Sequence, residues 1–244
     1  VSRYRIIRFS ELDSTNRYAC ARLAELADGD VIHADRQTAG HGRLRRPWVS
    51  HLPGNLCITL VLKPEAAAPP LANLSQLLAL SVCRALAAYG VTGNIKWPND
   101  VQAGGRKIAG LLAETVVLGS RVEGMALGLG VNLNLGPADL ALIDQPATSL
   151  REQTGSAARV EDFRDLVLED FFERRDGLLD TGFGLIRGEY LSRCPFLGTA
   201  VEIRRHDGAL RGTARDIGEN GALEILTAEG VVESVEIGEM FAQG

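Results

Sequence analysis

Lys96-Trp97-Pro98-Asn99-Asp100-Val101 is followed two residues later by Gly104-Gly105-Arg106-Lys107-Ile108-Ala109-Gly110-Leu111-Leu112-Ala113-Glu114, and the two segments read as arms of one hairpin. Pro98-Asn99-Asp100 does not easily continue a strand or a helix, so it belongs at a bend. Gly104-Gly105 supplies the turn, because glycine enters turn conformations at little steric cost, and the chain returns along residues 107–114. Lys107 then lies near the start of a strand, with Asn99 and Asp100 on the arm before it. An ammonium and a carboxylate brought close together suit an anionic ligand accompanied by a divalent cation. On the plainer reading, Asp100 braces the turn and Lys107 is an edge-strand charge.

Outward from this hairpin, strands and helices follow one another without regular alternation. Residues 6–9 suggest a short strand, and Ser14 or Thr15 caps a helix running through Leu26. Residues 31–34 and 55–62 read as strands. Pro69-Pro70 precedes an amphipathic helix in which Leu71, Leu74, Leu78, Val82 and Leu86 form one stripe, ended by Gly90. Residues 107–114 and 121–134 are strands joined across Leu118-Gly119-Ser120, and Phe163, Leu166, Val167 and Phe171 mark one face of a further helix. This order predicts an α+β fold, with helices packed on a mixed, largely antiparallel sheet, rather than a doubly wound one. From Thr199 onward, short β-type runs are divided by Asp207-Gly208, Asn220-Gly221 and Glu229-Gly230, the pattern of a small barrel. The expected boundary gives one domain over residues 1–195 and a second over 196–244.

A second chemical cluster is Gly40-His41-Gly42-Arg43-Leu44-Arg45-Arg46-Pro47-Trp48, which carries three guanidinium groups in a chain of formal net charge −5. Glycines let a backbone close around a ligand, arginines present forked donors that match phosphate oxygens, and an indole offers a flat apolar lid. Such a loop suits a phosphorylated ligand, although a solvated basic turn has the same composition. It is too short for a dinucleotide fingerprint and lacks the ending of a P-loop.

A chain of 244 residues can bury a sizeable core in one or two domains. The negative net charge argues against a general nucleic-acid binder. Cys20, Cys57, Cys83 and Cys194 show no CxxC spacing and read as buried thiols of a reducing compartment. No apolar run approaches the roughly 18 residues of a membrane span, and no basic-then-apolar leader is visible, so a cytoplasmic protein is expected.

These motifs, taken in order, resemble the biotin–protein ligases over nearly the whole chain. Asp13-Ser14-Thr15-Asn16 matches the family's Ser-Thr-Asn segment, and Gln37 through Trp48 resembles its adenylate-binding loop, continued by Gly54-Asn55-Leu56. Lys96 to Asp100 and Lys107 to Leu111 reproduce the two parts of its central signature, and Gly128-Leu129-Gly130-Val131-Asn132 is similar to its Gly-x-Gly-[Ile/Val]-Asn strand. His41 and Leu44 depart from residues often found there, Arg45 stands where glycine is common, and Cys57 where some members use an aromatic residue. Arg43 and Arg46 keep the guanidinium pattern.

The resemblance implies an SH3-like C-terminal domain and an ATP-dependent, AMP-forming ligase. A biotin carboxylate attacks the α-phosphorus of ATP, and a lysine of a biotin carboxyl carrier protein then takes the biotinyl group from biotinyl-5′-AMP. Lys107, Arg43 and Arg46 are the implied catalytic groups. Ser14, Thr15, Asn16, Gln37, Gly40, Lys107 and Gly110 are implied at biotin, and His41, Gly42, Arg43, Arg46, Trp48 and Asn132 at ATP and the adenylate. For Ser14 and Thr15, plain helix capping is the competing reading; for Trp48, anchoring of the loop; for Asn132, service of a turn. Trp97 reads as structural. Mg2+ accompanies ATP near Asn99 or Asp100, and no tightly bound cofactor is expected.

Implied partners are biotin, ATP and the carrier protein, that of acetyl-CoA carboxylase first, with a homodimer possible and neither nucleic acid nor membrane expected. Lipoate–protein ligases share the Asn-Asp…Lys arrangement, but their arginine-plus-triple-glycine segment has no counterpart here. Octanoyltransferases would need a cysteine in a context that neither Cys57 nor Cys194 has. A biotin-responsive repressor would carry an N-terminal winged helix, whereas the catalytic-type sequence starts within the first ten residues.

Overall fold

The computed structural model describes residues 3–63, 71–119, 121–206 and 208–242; the predicted turn markers Pro69-Pro70, Ser120 and Asp207 lie outside them. The larger sheet contains β1 (Arg5–Phe9), β2 (Asp30–Ala34), β3 (Leu56–Leu62), β4 (Gly93–Lys96), β5 (Asp100–Ala103), β6 (Arg106–Leu118) and β7 (Arg121–Val131). Its spatial order is β1-β2-β3-β7-β6-β5-β4. β1 and β2 run parallel and the other neighbours antiparallel. The helices are α1 (Thr15–Ala21), α2 (Leu71–Ala88), α3 (Pro137–Leu140), α4 (Leu150–Thr154), α5 (Val160–Thr181) and α6 (Gly184–Ser192). A smaller antiparallel sheet, the SH3-like part, holds β8 (Ala200–Arg205), β9 (Gly208–Ile217), β10 (Leu223–Leu226), β11 (Val232–Val235) and β12 (Glu239–Ala242).

The two-residue period of the central strands decides where ligands can go. In β3, Leu56, Ile58, Leu60 and Leu62 enter the main core with α2 and α5, while Val61 faces a small cluster beside α1. In β7, Met125, Leu127, Leu129 and Val131 do the same, which leaves Ala126, Gly128 and Gly130 on the α1 side. One face is therefore filled by branched side chains, and the other is a trough floored by small residues.

The main core is continuous into Val201, Ile203, Ala214, Leu223 and Ile225 of the smaller sheet. Burying a side chain of this size contributes roughly 1.5–3 kcal/mol. Across the same junction Trp97 Nε1 donates to Gly221 O at 3.3 Å, which gives this buried indole its structural role.

Three sequence expectations need correction. The first helix ends at Ala21; the chain continues as turns that deliver Leu23 and Leu26 into the small cluster with Ile32, Val61 and Ala126. Packing overrides helix propensity there. Leu166 is 38% exposed, because the buried stripe of α5 is Phe163, Val167, Leu168, Phe171 and Phe172, and Leu166 lies at its edge. β7 stops at Val131, since the amides of Leu133 and Asn134 donate to Asn55 Oδ1 (3.0 and 3.2 Å) rather than to a neighbouring strand.

His33 in β2 is fully buried, with Nδ1 3.1 Å from Arg164 Nη1 of α5. The guanidinium can only donate, so Nδ1 accepts and the ring proton sits on Nε2. Burial, then the charges of Arg164 and Arg8, push the imidazole down from 6.5 to about 4, against the weaker pull of Asp35 and Glu161. The unfolded chain therefore binds the proton first as pH falls. Stability should decline between pH 6.5 and 4 by about 1.4 kcal/mol per unit, or roughly 3 kcal/mol in all. The check is the urea midpoint of wild type against His33→Gln across this window: the gap between them should change steadily with pH, and a constant gap would contradict the assignment.

Candidate active site

The trough opens into a cavity of about 540 Å3 lined by Ser14, Thr15, Asn16 and Gln37 at one end and by Arg204, His206 and Glu239 at the other. Arg43, Trp48, Asn99, Asp100, Lys107, Gly110, Gly128 and Gly130 also line it.

The first end is polar and rigidly wired. Ser14 caps α1 by accepting from Arg17 N (3.4 Å), and it also lines the cavity. Thr15 donates from N and Oγ1 to Gln37 Oε1 at 2.8 and 3.1 Å. Asn16 Nδ2 donates to Leu112 O (3.0 Å) and to Glu114 Oε2 (2.9 Å). Thr59 Oγ1 stands 2.8 Å from Thr15 Oγ1 and 2.6 Å from Asn16 Oδ1, and its single proton serves one of them at a time. Neither Thr59 nor Glu114 was expected from sequence. The available signal was a lone hydroxyl inside the apolar run of β3.

Lys107 lines the same cavity. The β5–β6 register shifts between Val101 and Gln102, so that Gln102 pairs with Lys107 and Val101 with Ala109. Such a bulge re-aims a side chain. Lys107 N donates to Pro146 O (2.9 Å) and its O accepts from Thr148 N (2.8 Å), which pins the backbone. Its Nζ lies 2.7 Å from Asp100 Oδ1, an ion pair rather than an aligned hydrogen bond. The same Nζ lies 5.5 Å above the Trp48 ring, within cation–π range.

Gly110 and Gly130 are register partners on β6 and β7, and the Trp48 indole rests on both. A side chain at either position would meet the ring. Trp48 Nε1 is buried without a hydrogen-bond acceptor among the described residues.

The arginine loop closes on itself through the His41–Pro47 bridge, Gly42 N→Arg46 O (2.8 Å) and Trp48 N→Gly40 O (3.0 Å). Leu44 and Arg45 at its tip have φ of 53° and 55°, a left-handed conformation uncommon for non-glycine residues and mildly strained in succession. Beneath them, Arg43 Nη1 donates to Gly238 O (3.1 Å) and, at 3.4 Å, to Asn99 Oδ1. Burial lowers the Arg43 guanidinium from its usual value. Arg46 grips Glu239 with both terminal nitrogens, and this contact, with Lys96 and Arg43 nearby, holds the Glu239 carboxyl below its ordinary range.

Two expected site residues fall elsewhere. Gly40 lines a neighbouring cleft on the far side of the loop. Asn132 is buried outside the cavity lining, with Nδ2 on Thr148 O (3.1 Å). It thus supports the segment that brackets Lys107.

The profile of the biotin/lipoate A/B protein ligase family matches residues 9–132. The chain belongs to that family. The matched span of this ligase contains the polar row, the arginine loop, the Lys107 hairpin and the glycine floor. A second profile, the biotin protein ligase C-terminal domain, matches residues 196–242. The ligase is 38% identical over 234 residues to a biotin–[acetyl-CoA-carboxylase] ligase of Paracoccus denitrificans, covering 92% of this chain and 96% of that one. It is 31% identical to the bifunctional ligase/repressor BirA of Bacillus subtilis, with 84% of this chain and 63% of that one aligned. In structure it superposes on the biotin protein ligase from Aquifex aeolicus in complex with biotin and ATP with a TM-score of 0.84, at 29% identity over 98% of each chain.

Proposed function

We propose that the protein is an ATP-dependent biotin–protein ligase that forms biotinyl-5′-AMP and transfers biotin to a carrier-protein lysine. The observation that carries this reading is that the Lys107 ammonium lines the same cavity as a neutral amide-and-hydroxyl row and a cationic loop. A bicyclic urea needs a few well-aimed neutral partners, which the row at Ser14, Thr15, Asn16 and Gln37 supplies. Gly110 gives close backbone approach there. Placing the urea at that end directs the valeryl carboxylate toward Lys107. Two anions must meet for adenylation, and an ammonium between them offsets both charges as the new bond forms. The carboxylate oxygen bonds to the α-phosphorus, the bridge oxygen to the β-phosphorus departs with its electron pair, and pyrophosphate leaves.

Arg43 and Arg46 are assigned to phosphate oxygens, His41 and Gly42 to the loop's approach to the adenylate, and Trp48 to a lid over it. Magnesium enters as part of the substrate, on ATP. Asn99 and Asp100 line the cavity and offer oxygens of the hard type that this ion takes. Four unpaired cysteines and no described helix apolar enough to cross a membrane fit a cytoplasmic setting. The carrier domain of acetyl-CoA carboxylase is the proposed acceptor, after the Paracoccus relative.

ATP–pyrophosphate exchange with biotin, lipoate and octanoate in turn tests the reading. Exchange stimulated by biotin alone is expected. Stimulation by lipoate would move the protein to the sister activity, and no exchange with any acid would overturn the ligase reading.

A further inference from the structure

Glu114 lies on β6 and lines the neighbouring cleft rather than the cavity, yet it decides how the polar row is wired. Its Oε2 accepts from Asn16 Nδ2 at 2.9 Å, and the other Nδ2 hydrogen goes to Leu112 O at 3.0 Å. Two acceptors on one side fix the amide, with its nitrogen toward them and Oδ1 toward Thr59. Asn16 Oδ1 has no proton to give, so its 2.6 Å contact with Thr59 Oγ1 holds the Thr59 proton. With that proton spent, the Thr15 hydroxyl turns its own hydrogen back into the network, to Thr59 Oγ1 at 2.8 Å or to Gln37 Oε1 at 3.1 Å. Either way a Thr15 lone pair is left for the cavity. Gln37 Oε1 already takes Thr15 N at 2.8 Å, so Nε2 is the donor that this amide keeps for a ligand.

We infer that Glu114 and Thr59 are positioning residues that determine specificity: through Asn16 they lock the row in the polarity that takes a ring N–H at Thr15 and a ring carbonyl at Gln37. The inference rests on the ligase reading and deepens it. It gives the row a reason to prefer a cyclic urea to the dithiolane of lipoate or the plain chain of octanoate, neither of which carries an N–H. If the Asn16 amide were reversed, Nδ2 would face Thr59. The Thr59 proton would then swing to Thr15 and fill the lone pair that an N–H needs. Glu114 opposes that reversal because a carboxylate is the stronger acceptor for an amide hydrogen. Thr59 is fully buried, so bulk water does not replace its proton.

Thr59→Val keeps the shape of the side chain and removes the proton; Glu114→Met removes the acceptor from a partly exposed position. In ATP–pyrophosphate exchange each should raise KM for biotin about tenfold, the scale of one buried polar group left unpaired. Values of kcat and of KM for ATP should stay within about twofold of wild type, since the loss falls on ground-state binding of one substrate. Thr59→Ser and Glu114→Gln restore a hydroxyl and an acceptor oxygen and should recover most of the loss. The two residues act through one amide, so the double variant should be little worse than the poorer single one, whereas independent sites would multiply to about a hundredfold. Competition by a biotin analogue with both ring N–H groups replaced by CH2 should not change in either variant. Should Thr59→Val fail to fold, the Glu114 pair carries the same test. An unchanged KM for biotin, losses that multiply, or equal weakening of the analogue would overturn the inference, the last marking a purely structural role. Wild type without biotin-dependent exchange would defeat the ligase reading itself; wild-type exchange with unaltered variants defeats only this inference.

Discussion

Lys107→Ala should reduce biotin-dependent ATP–pyrophosphate exchange by at least 10²–10³-fold, about the loss seen when one preorganised charge-stabilising donor is removed. Two features make the larger end the expectation. The side chain is not a mobile tether that a neighbour replaces; its backbone is bracketed by Pro146 and Thr148 and its aim is set by the bulge. Its removal also leaves Asp100, largely buried, facing two incoming anions without its partner. Truncating one member of such a pair damages more than the pair contributed, because the remaining charge is uncompensated. The double variant Lys107→Ala, Asp100→Asn separates two effects: exchange faster than in Lys107→Ala alone marks that repulsion, and slower exchange marks the loss of a magnesium ligand. Exchange in the single variant within tenfold of wild type would remove Lys107 from the chemistry.

Gly130→Ala should cost about 10²-fold in adenylation efficiency while leaving the fold nearly as stable as wild type. A methyl at this position would lie 2.6 Å from Trp48 Nε1 and 2.7 Å from Cζ2, well inside contact distance. The indole cannot yield alone, because Trp48 N is bonded to Gly40 O and its O accepts from Ser50 Oγ at 3.1 Å. The ring and the arginine loop must lift together, taking the lid off Lys107. Exchanging glycine for alanine in a strand removes an entropic penalty of roughly 0.5–1 kcal/mol, so the backbone itself has little to lose. In a Trp97→Phe background, Trp48 emission should shift toward that of a wetter indole. Emission and exchange both like wild type would mean that the ring does not rest on this floor. Gly128→Ala is the contrasting case: its methyl would press on Asn16 Cγ at 2.9 Å, and Asn16 is fixed at both ends of its amide. That variant should lose stability along with biotin affinity.

What could be read from residues alone followed sequence distance. The 96–114 hairpin was legible because its turn is made of Gly104 and Gly105, both at positive φ, and because Lys107 and Asp100 are only seven positions apart. The stripe of α2 was legible because its period is local. The ordered motifs also identified the family. The floor under Trp48 was hidden in plain view, since the Leu-Gly alternation of β7 was read as a motif and not as a strand with one empty face. Glu239 and Arg204 could not be found this way. Glu239 meets Arg46 across 193 positions, and Arg204 shares the Phe241 ring with Lys96, which lies 108 positions earlier; nothing in their local sequence distinguishes them from surface charges. For Asn132 the sequence left ligand contact and service of a turn both open, and in the structure its amide donates to Thr148 O, beside the backbone of Lys107.

The single apolar interior that runs under both sheets has a consequence for how this enzyme shuts. Enzymes built from two loosely joined lobes close by swinging one lobe over the other. Here Trp97, Gly221 and the buried residues of β8 to β10 leave no slack for such a hinge. Under the proposed function, sealing the hydrolysable adenylate falls to the loop of nine residues, 40–48, moving over a frame that stays still. Its rim is already half latched by Arg43 and Arg46 to the edge of β12. Speed of closure then depends on one short loop, and the frame is free to be rigid.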